Sequence, residues 1–302
     1  MIALGTPPTF YLGTHEPSWL GREEVPGDAC LFVSHRRLAE RGRLPRARMH
    51  WALDSGGFSE LQLYGEWRTT AKDYVAAVRR YDEEIGNLGW AAPQDWMCEP
   101  IIISGGVANG VRFAGTGLSV EEHQRRTVAN FIELTELWGC DWDSPFMPVL
   151  QGYHRDDYLR CWDLYAAAGV DLRNFAVVGL GSVCRRQAAD EIGEIVRALL
   201  ALDDELPVHG FGVKLRGLDK YGHLLNTADS MAWSYEARRA NPLPECQADP
   251  RANHRNCANC IRYALRWRQT VVQLLDADRQ RHHEQLSLFD GRGRQRDAPV
   301  RP

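Results

Sequence analysis

Lysine and long apolar runs are scarce in this chain. Of its 302 residues, only Lys72, Lys214 and Lys220 are lysines, so arginine supplies nearly all of the basic charge. A GC-rich genome explains this bias best, although a guanidinium also suits bidentate contacts to phosphate. No stretch approaches the roughly 20 apolar residues of a membrane span. The first residues also lack the basic and apolar regions of a signal peptide. We therefore expect a cytoplasmic protein.

The overall composition excludes several classes of protein. The hydrophobic content of 44% and the charged content of 25% are ordinary for a soluble globular protein. A net charge of -4 does not indicate a nucleic-acid binder, but basic residues can still cluster locally. In a chain of this length without a signal peptide, the eight cysteines are expected to stay reduced or to bind metal. No G-x-G-x-x-G follows the first strand, which weakens a dinucleotide-binding function.

Short β-rich runs alternate with helical patterns along the chain. Candidate strands are Phe10–Leu12, Leu31–Ser34, His50–Asp54, Phe146–Leu150, Phe175–Leu180, Val208–Val213 and Leu224–Asp229. Candidate helices are Ala71–Ile85, Ser119–Leu137, Arg155–Ala168, Arg185–Leu202 and, near the end, 258–284. Such alternation predicts an α/β fold with a parallel sheet. The number of units favours a (β/α)8 TIM-type barrel, over residues 1–240, rather than an open doubly wound sheet.

Two aspartates stand where predicted strands end. Asp54 lies in DSGGF and Asp229 in ADSMAWS, and the carboxyl ends of barrel strands form the active site. Asp229 could attack an anomeric carbon with Asp54 as its acid/base partner. Ser55 could hydrogen-bond a base or a phosphate, and the glycine pair after it would let a ligand approach the main chain. The alternative is structural: Asp54 caps a helix after a tight turn, and Asp229 is an N-cap.

A second group of polar residues could hold a base. Asp95, in QDWMCEP, could accept hydrogen bonds from the Watson–Crick edge of a guanine-like base, or it is simply a carboxylate on a surface loop. Gln151, in VLQGY, could add an amide contact to the same base. Gly179 and Gly181, in VVGLGS, could let backbone amides approach it.

Three of the cysteines lie close together with a histidine. Cys246, His254, Cys257 and Cys260 form the pattern C-x7-H-x2-C-x2-C, which predicts a tetrahedral Zn2+ site with a structural role. Reduced surface cysteines are the alternative. His282 or His283 could replace His254, but a continuous helix would carry them about 33 Å from Cys260. We predict a small zinc-binding subdomain with a terminal helix over 241–284.

The remaining residues, 285–302, are predicted to form a flexible tail. Its first five residues, Gln285, Leu286, Ser287, Leu288 and Phe289, resemble the short peptide by which bacterial replication proteins bind the sliding clamp. In such a peptide the apolar side chains carry most of the affinity. The alternative is a last helical turn that packs Leu286 and Phe289 on the barrel.

Taken in chain order, these motifs resemble a known family. DSGGF, D-x-x-C-E, V-x-Q-G, V-G-x-G and A-D-S are similar to motifs of the tRNA-guanine transglycosylase superfamily. The segments YLGTHEPSWL and ADSMAWSYEARR resemble most closely its branch that inserts 7-deazaguanines into DNA. The resemblance covers Tyr11 to Cys260. The pair Phe58-Ser59 and the metal spacing depart from the tRNA enzymes, which puts tRNA as the substrate in doubt.

The resemblance implies a function as well as a barrel. Asp229 would be the nucleophile and Asp54 the general acid/base, while Asp95, Gln151 and the Gly179–Gly181 region would hold the exchanged base. The implied reaction is a pentosyl transfer that replaces guanine in DNA by a 7-deazaguanine, such as 7-cyano-7-deazaguanine, through a covalent aspartyl–DNA intermediate. DNA and the free base would be the partners, and evasion of restriction the purpose.

Three alternatives stay open at this point. The first is a tRNA-guanine transglycosylase, the second a zinc-stabilised nucleic-acid-binding subunit without catalysis, and the third a glycoside hydrolase. The sequence fits a protein encoded by a bacterium and one encoded by a virus that infects bacteria equally well.

Overall fold

A computed structural model describes residues 8–139, 144–184, 186, 189–249 and 254–293. Its strands are β1 (Thr9–Thr14), β2 (Cys30–Ser34), β3 (Trp51–Asp54), β4 (Leu88–Ala91), β5 (Gly106–Ala108), β6 (Val111–Phe113), β7 (Val149–Leu150), β8 (Val178–Leu180), β9 (Val208–Gly210) and β10 (Thr227–Ser230). β5 and β6 form an antiparallel hairpin. The other eight strands of the described residues form one parallel sheet, in the order β4-β3-β2-β1-β10-β9-β8-β7.

The two ends of this sheet meet. β4 and β7 are its terminal strands, and a parallel bridge joins Ala91 to Phe146, just before β7. The Ala91 N–H donates to the Pro145 carbonyl at 2.8 Å, and the Met147 N–H donates to the Ala91 carbonyl at 3.1 Å. Eight parallel strands joined in this way are consistent with the predicted TIM-type barrel.

Helices follow most of the strands. They are α1 (His35–Leu38), α2 (Gly57–Tyr64), α3 (Ala71–Ile85), α4 (Pro100–Ser104), α5 (Val120–Trp138), α6 (Arg155–Ala167), α7 (Ala189–Leu200), α8 (Leu215–Tyr221), α9 (Ala232–Ala237), α10 (Pro244–Ala248) and α11 (Ile261–Gly293). α3 has the predicted bounds because strong signals fix both ends. The Thr70 hydroxyl accepts from the Asp73 N–H at 3.1 Å, and Gly86, with φ of 72°, follows the last residue.

The sheet has an apolar layer on each face. Along β1, Phe10 and Leu12 pack into the large core between the sheet and the helices, whereas Tyr11 belongs to a separate cluster inside the barrel. The members of that inner cluster come from different strands: Tyr11, Phe32, Ala52, Trp90, Met147 and Val149. Because successive residues of a strand point to opposite faces, continuous apolar runs are required in strands that are buried on both sides.

Some features differ from the sequence predictions. β4 was not predicted, because LGWA is too short and carries a glycine. α11 begins at Ile261 and continues to Gly293, so the five residues Gln285–Phe289 are helical, although their side chains lie outside the described part. Residues 294–302 also lie outside it, and the predicted division into barrel, metal subdomain and tail stays a prediction. Among the described residues, no helix combines the length and the apolar character needed to cross a membrane.

Candidate active site and metal cluster

A cavity of about 550 Å³ opens at the carboxyl ends of the barrel strands. Four of the predicted site residues line it, namely Asp54, Asp95, Gly181 and Asp229. Asp54 ends β3 and Asp229 lies in β10, so the fold brings together residues that are far apart in the chain. Ser55, Gln151 and Gly179, the other three, are buried behind the lining.

Asp229 is held by one of its two oxygens. Its Oδ1 accepts a hydrogen bond from the Gly212 N–H at 2.9 Å and lies 3.3 Å from Nε2 of His209. Within the described part of the chain, no hydrogen bond involves the second oxygen, Oδ2. The N-cap of α9 is Met231 rather than Asp229, which removes the structural alternative for this aspartate.

His209 is a candidate site residue that the sequence analysis missed. Its ring is fully buried, and Nδ1 lies 2.8 Å from the Thr227 hydroxyl, which fixes the ring on the side away from Asp229. Four aromatic rings surround it, with centroids between 4.7 and 6.1 Å away: Tyr11, Phe32, Trp90 and Phe211. A polar ring inside an aromatic box needs a polar partner, and Asp229 and Thr227 supply one for each nitrogen.

Asp54 lies in the same cavity but in a different electrostatic setting. Burial raises the pKa of its carboxyl above the usual range, and the nearby charge of Asp229 adds to that rise. Hydrogen bonds from Ser34 and from the Gly56 N–H, at 3.1 Å for the latter, act in the opposite direction. Gly56 is the N-cap of α2, so Asp54 is not the capping residue.

The glycine pair after Ser55 has a packing role. Gly56 adopts φ of 80°, and a Cβ there would lie 2.7 Å from Cγ of Arg36. A Cβ on Gly57 would lie 2.5 Å from the Trp67 ring. The two glycines thus make room for an arginine stem and an indole.

Asp95 belongs to a hydrogen-bonded network beside the cavity. Gln151 donates to it through Nε2, and Oε1 of Gln151 lies 2.6 Å from the Ser182 hydroxyl. That hydroxyl also lies 3.0 Å from Oε2 of Glu99 and accepts from the Cys98 N–H at 2.7 Å. Asp95 is therefore not a carboxylate on a surface loop. Glu99 and Ser182 line the cavity as well, and neither was predicted.

The network gives Asp95 an unusual acidity. Burial is the largest cause that raises its pKa to about 7, the Gln151 hydrogen bond lowers it, and the negative charges of Asp54 and Glu99 raise it further. A carboxyl group of this kind can hold or release a proton near neutral pH, so it can either donate to a ligand or accept from it.

The two predicted glycines of VVGLGS differ in their surroundings. A Cβ on Gly181 would lie 2.2 Å from Nε2 of Gln151, so this glycine lets the amide lie against the backbone at the cavity wall. A Cβ on Gly179 would meet Met147 and Phe211, both at 2.7 Å, which makes it a packing residue of the barrel interior.

The four predicted metal ligands meet between α10 and α11. The ligand atoms of Cys246, His254, Cys257 and Cys260 all lie within 4.8 Å of one another. The sulfurs of Cys246 and Cys260 are 3.7 Å apart, and Nε2 of His254 lies 3.3 Å from the Cys257 sulfur. Bonds of about 2.3 Å to a tetrahedral zinc ion separate two sulfurs by about 3.8 Å, so the donor set and its spacing fit such an ion.

A short helix connects the metal cluster to the cavity. α9 begins just after Asp229, and its last residue, Ala237, packs against Cys246 and Cys257. The neighbouring Glu236 accepts a hydrogen bond from Nε1 of Trp267 in α11 at 3.0 Å. Folding around a metal would therefore fix the end of the segment that starts at Asp229.

Solved structures of known proteins resemble this chain, and two of them are a phosphonomutase and an acetylhydrolase. A protein from Burkholderia cenocepacia J2315 assigned as a phosphonomutase is 17% identical, with a TM-score of 0.42, over 76% of this chain and 89% of that one. Oxaloacetate acetylhydrolase in complex with 3,3-difluorooxalacetate is 12% identical, with a TM-score of 0.46, over 98% of this chain and 96% of that one. No curated protein matches the chain.

These findings correct two predictions. Membership of the tRNA-guanine transglycosylase superfamily was wrong, because the structural likenesses are to a phosphonomutase and to oxaloacetate acetylhydrolase. The prediction of guanine exchange was wrong for the same reason, since these names belong to a different enzyme class. The comparisons give the predicted pentosyl transfer no support.

The match to a protein family covers nearly the whole chain. The model of the family described as "DpdA: DeoxyPurine in DNA protein A" matches residues 7–294. That description supports a role in DNA modification, one of the expectations from the motifs. The chain belongs to the DpdA family.

Proposed function

We propose that this chain is an enzyme that modifies purine nucleotides in DNA and acts on the bond between the base and C1′ of the deoxyribose, a pentosyl transfer. The observation that carries the proposal is the convergence of Asp54, Asp95 and Asp229 in one cavity of a DpdA-family chain. Its volume of about 550 Å³ is within the range of small-molecule sites and suits one nucleotide with a purine or 7-deazapurine base.

The two catalytic roles follow from how the carboxyl groups are held. Asp229 presents Oδ2 while Oδ1 is fixed, so it can stabilise the positive charge that develops at C1′ as the bond to the base breaks. The electron pair of that bond goes to the base. Asp54, whose pKa is raised by burial, supplies the proton that the leaving base takes up. A ring nitrogen of an incoming base then forms the new bond to C1′, and its proton returns to Asp54.

The base would be held by the network around Asp95. Carboxylate oxygens accept from the N–H groups of a purine, and a protonated Asp95 could instead donate to a ring nitrogen. Glu99 and the backbone at Gly181 line the same wall. A target inside a duplex must leave the base stack to reach this site, so a flipped or single-stranded nucleotide is the expected form of the substrate.

We further propose that the metal is a structural Zn2+. Four protein ligands leave no open position for a water, and the cluster lies beside α9 rather than in the cavity. A DNA substrate would also place the protein in the cytoplasm of its cell. Binding of Gln285–Phe289 to a sliding clamp stays a prediction.

The proposal can be tested with DNA whose purine bases carry an isotopic label. Purified protein should release label as free base, and Asp229→Asn should reduce that release at least about 1,000-fold, because the charge opposite C1′ is lost. Asp276→Asn, an exposed aspartate of α11, is the matched control and should behave as the wild type. Pentosyl transfer would be contradicted if the folded wild-type protein released no label from the DNA, whether or not free base was added.

A further inference from the structure

The cavity floor and its entrance carry opposite charges. The four acidic residues of the floor are buried or half-buried: Asp54, Asp95, Glu99 and Asp229. Such a floor repels the phosphates of a nucleic acid, and the chain as a whole carries a net charge of -4. A DNA substrate therefore needs local positive charge at the entrance.

Three exposed arginines supply that charge. Arg36 and Arg37 line the cavity, and both belong to α1, which directly follows β2. Arg238 directly follows α9. We call Arg36, Arg37 and Arg238 the arginine rim. The exposed Glu40 also lines the cavity, but three guanidinium groups outweigh its single charge.

The half-buried His15 connects the members of the rim. It lines the cavity, and burial is the largest cause that lowers its pKa to about 4. The positive charges of Arg37 and Arg238 lower that pKa further. His15 is therefore neutral at physiological pH, and it can offer a hydrogen bond without adding charge.

The position of Arg36 is fixed by the motif around Asp54. Its Cγ and Cδ lie where a side chain on residue 56 would be, 2.7 and 3.1 Å from the ideal Cβ position. Its charge lowers the pKa of Asp54, so the guanidinium lies close to that carboxyl. Arg36 thus stands beside the proposed proton donor while remaining exposed to solvent.

We infer that the arginine rim binds the backbone phosphates on either side of the nucleotide whose base enters the cavity. This inference rests on the proposed function, because it takes the substrate to be DNA. The planar guanidinium group matches the geometry of phosphate oxygens and stays charged at every physiological pH. The rim holds the sugar of the target above Asp54 and Asp229, while the acidic floor accepts only the base.

The test is the salt dependence of DNA binding. Full-length protein is titrated into a fluorescent single-stranded oligodeoxynucleotide over a series of KCl concentrations, and anisotropy gives Kd. Each phosphate contact contributes about 0.7 to the slope of log Kd against log salt for a single strand. Arg36→Ala with Arg37→Ala should therefore lower the slope by about 1.4 and weaken binding at least tenfold at low salt.

A matched double variant distinguishes the loss of the arginine rim from a general loss of positive charge. Arg48 and Arg173 are exposed and lie in segments that lead into β3 and β8, at the opposite end of the barrel. Arg48→Ala with Arg173→Ala removes the same charge and should retain the wild-type slope. Thermal unfolding confirms that both double variants are folded.

The possible results lead to different conclusions. A wild-type slope in the rim variant, or an equal loss in the control, would overturn the arginine rim and leave the proposed function standing. Absence of any salt-dependent binding by the wild type would instead overturn DNA as the substrate. A loss confined to the rim variant, enlarged by Arg238→Ala, supports the inference.

Discussion

The cavity and the metal cluster are built in opposite ways. The metal ligands fall within 15 residues of sequence, from Cys246 to Cys260, and a local turn brings them together. The carboxyl groups of the cavity span residues 54 to 229 and meet only because parallel strands end at the same edge of the barrel. The first site depends on spacing and the second on the whole fold.

This difference separates what each region needs in order to function. The Cys/His cluster is expected to need a metal ion, because binding of the ion would supply the free energy that holds its four donors together. The cavity needs rigid strands and fixed hydrogen bonds, such as those that the Gly212 N–H and His209 make to Asp229. Damage to the cluster should therefore appear first as lost stability, and damage to the cavity first as lost rate.

The largest effect is expected from removing a metal ligand. Cys257→Ser should abolish stoichiometric metal binding and lower Tm by at least about 10 °C, because metal-binding free energy is folding free energy at such sites. Atomic emission measures the metal content, and calorimetry measures the Tm. Cys30→Ser, at a half-buried cysteine in β2, is the control and should keep the metal. Full metal content in the Cys257 variant would refute the ligand assignment.

A smaller effect is expected at His209, which acts through Asp229. His209→Phe keeps a ring in the aromatic box but removes the contact to Oδ1, and it should lower kcat 10- to 100-fold with little change in KM. His209→Gln keeps a side-chain N–H and should recover part of the rate. The substrate in this rate assay is the DNA from which the wild-type protein releases labelled base. Equal loss in both variants together with a lower Tm would show a packing role instead.

The smallest effect concerns the stability that Asp95 contributes. A carboxyl group whose pKa rises from about 4 in the unfolded chain to about 7 in the folded one stabilises the fold below pH 4, and this contribution is lost as the pH rises through 7. Asp95→Asn cannot ionise. The free energy of unfolding of the wild type should fall relative to this variant by roughly 2 kcal/mol between pH 5 and pH 8.

Urea denaturation at the two pH values measures that difference. Asp73→Asn, at an exposed position in the first turn of α3, is the control and should show no comparable change. A constant difference between Asp95→Asn and the wild type would mean that Asp95 is ionised throughout this pH range.

The sequence predicted the local features of the molecule well. The bounds of α3 were predicted correctly, because capping residues and an apolar face agree on them. The metal cluster was predicted as a set, since C-x7-H-x2-C-x2-C leaves little freedom. Asp54 and Asp229 were expected near one another from the rule that parallel strands share an edge, and the cavity contains both, together with Asp95, which follows the unpredicted β4.

What the sequence could not supply are contacts across the barrel. From the sequence, His209 is predicted only to lie in a short strand. Its four aromatic neighbours and its contact to Asp229 are seen only in the folded barrel. Ser182 and Glu99 are likewise connected only through folding. Gly56 and Gly57 were predicted to let a ligand approach the main chain, and the structure shows in addition that Arg36 and Trp67 pack where their side chains would lie.

The seam of the barrel has a consequence for ligand binding. Asp95 follows Ala91 by four residues and Gln151 follows Phe146 by five, so their hydrogen bond spans the same junction as the Ala91–Phe146 bridge. A ligand group that took over the oxygen or the amide of this pair would replace a hydrogen bond that joins the ends of β4 and β7. Occupancy of the site and closure of the barrel would then be thermodynamically linked, because a ligand that binds only the closed barrel stabilises it by mass action.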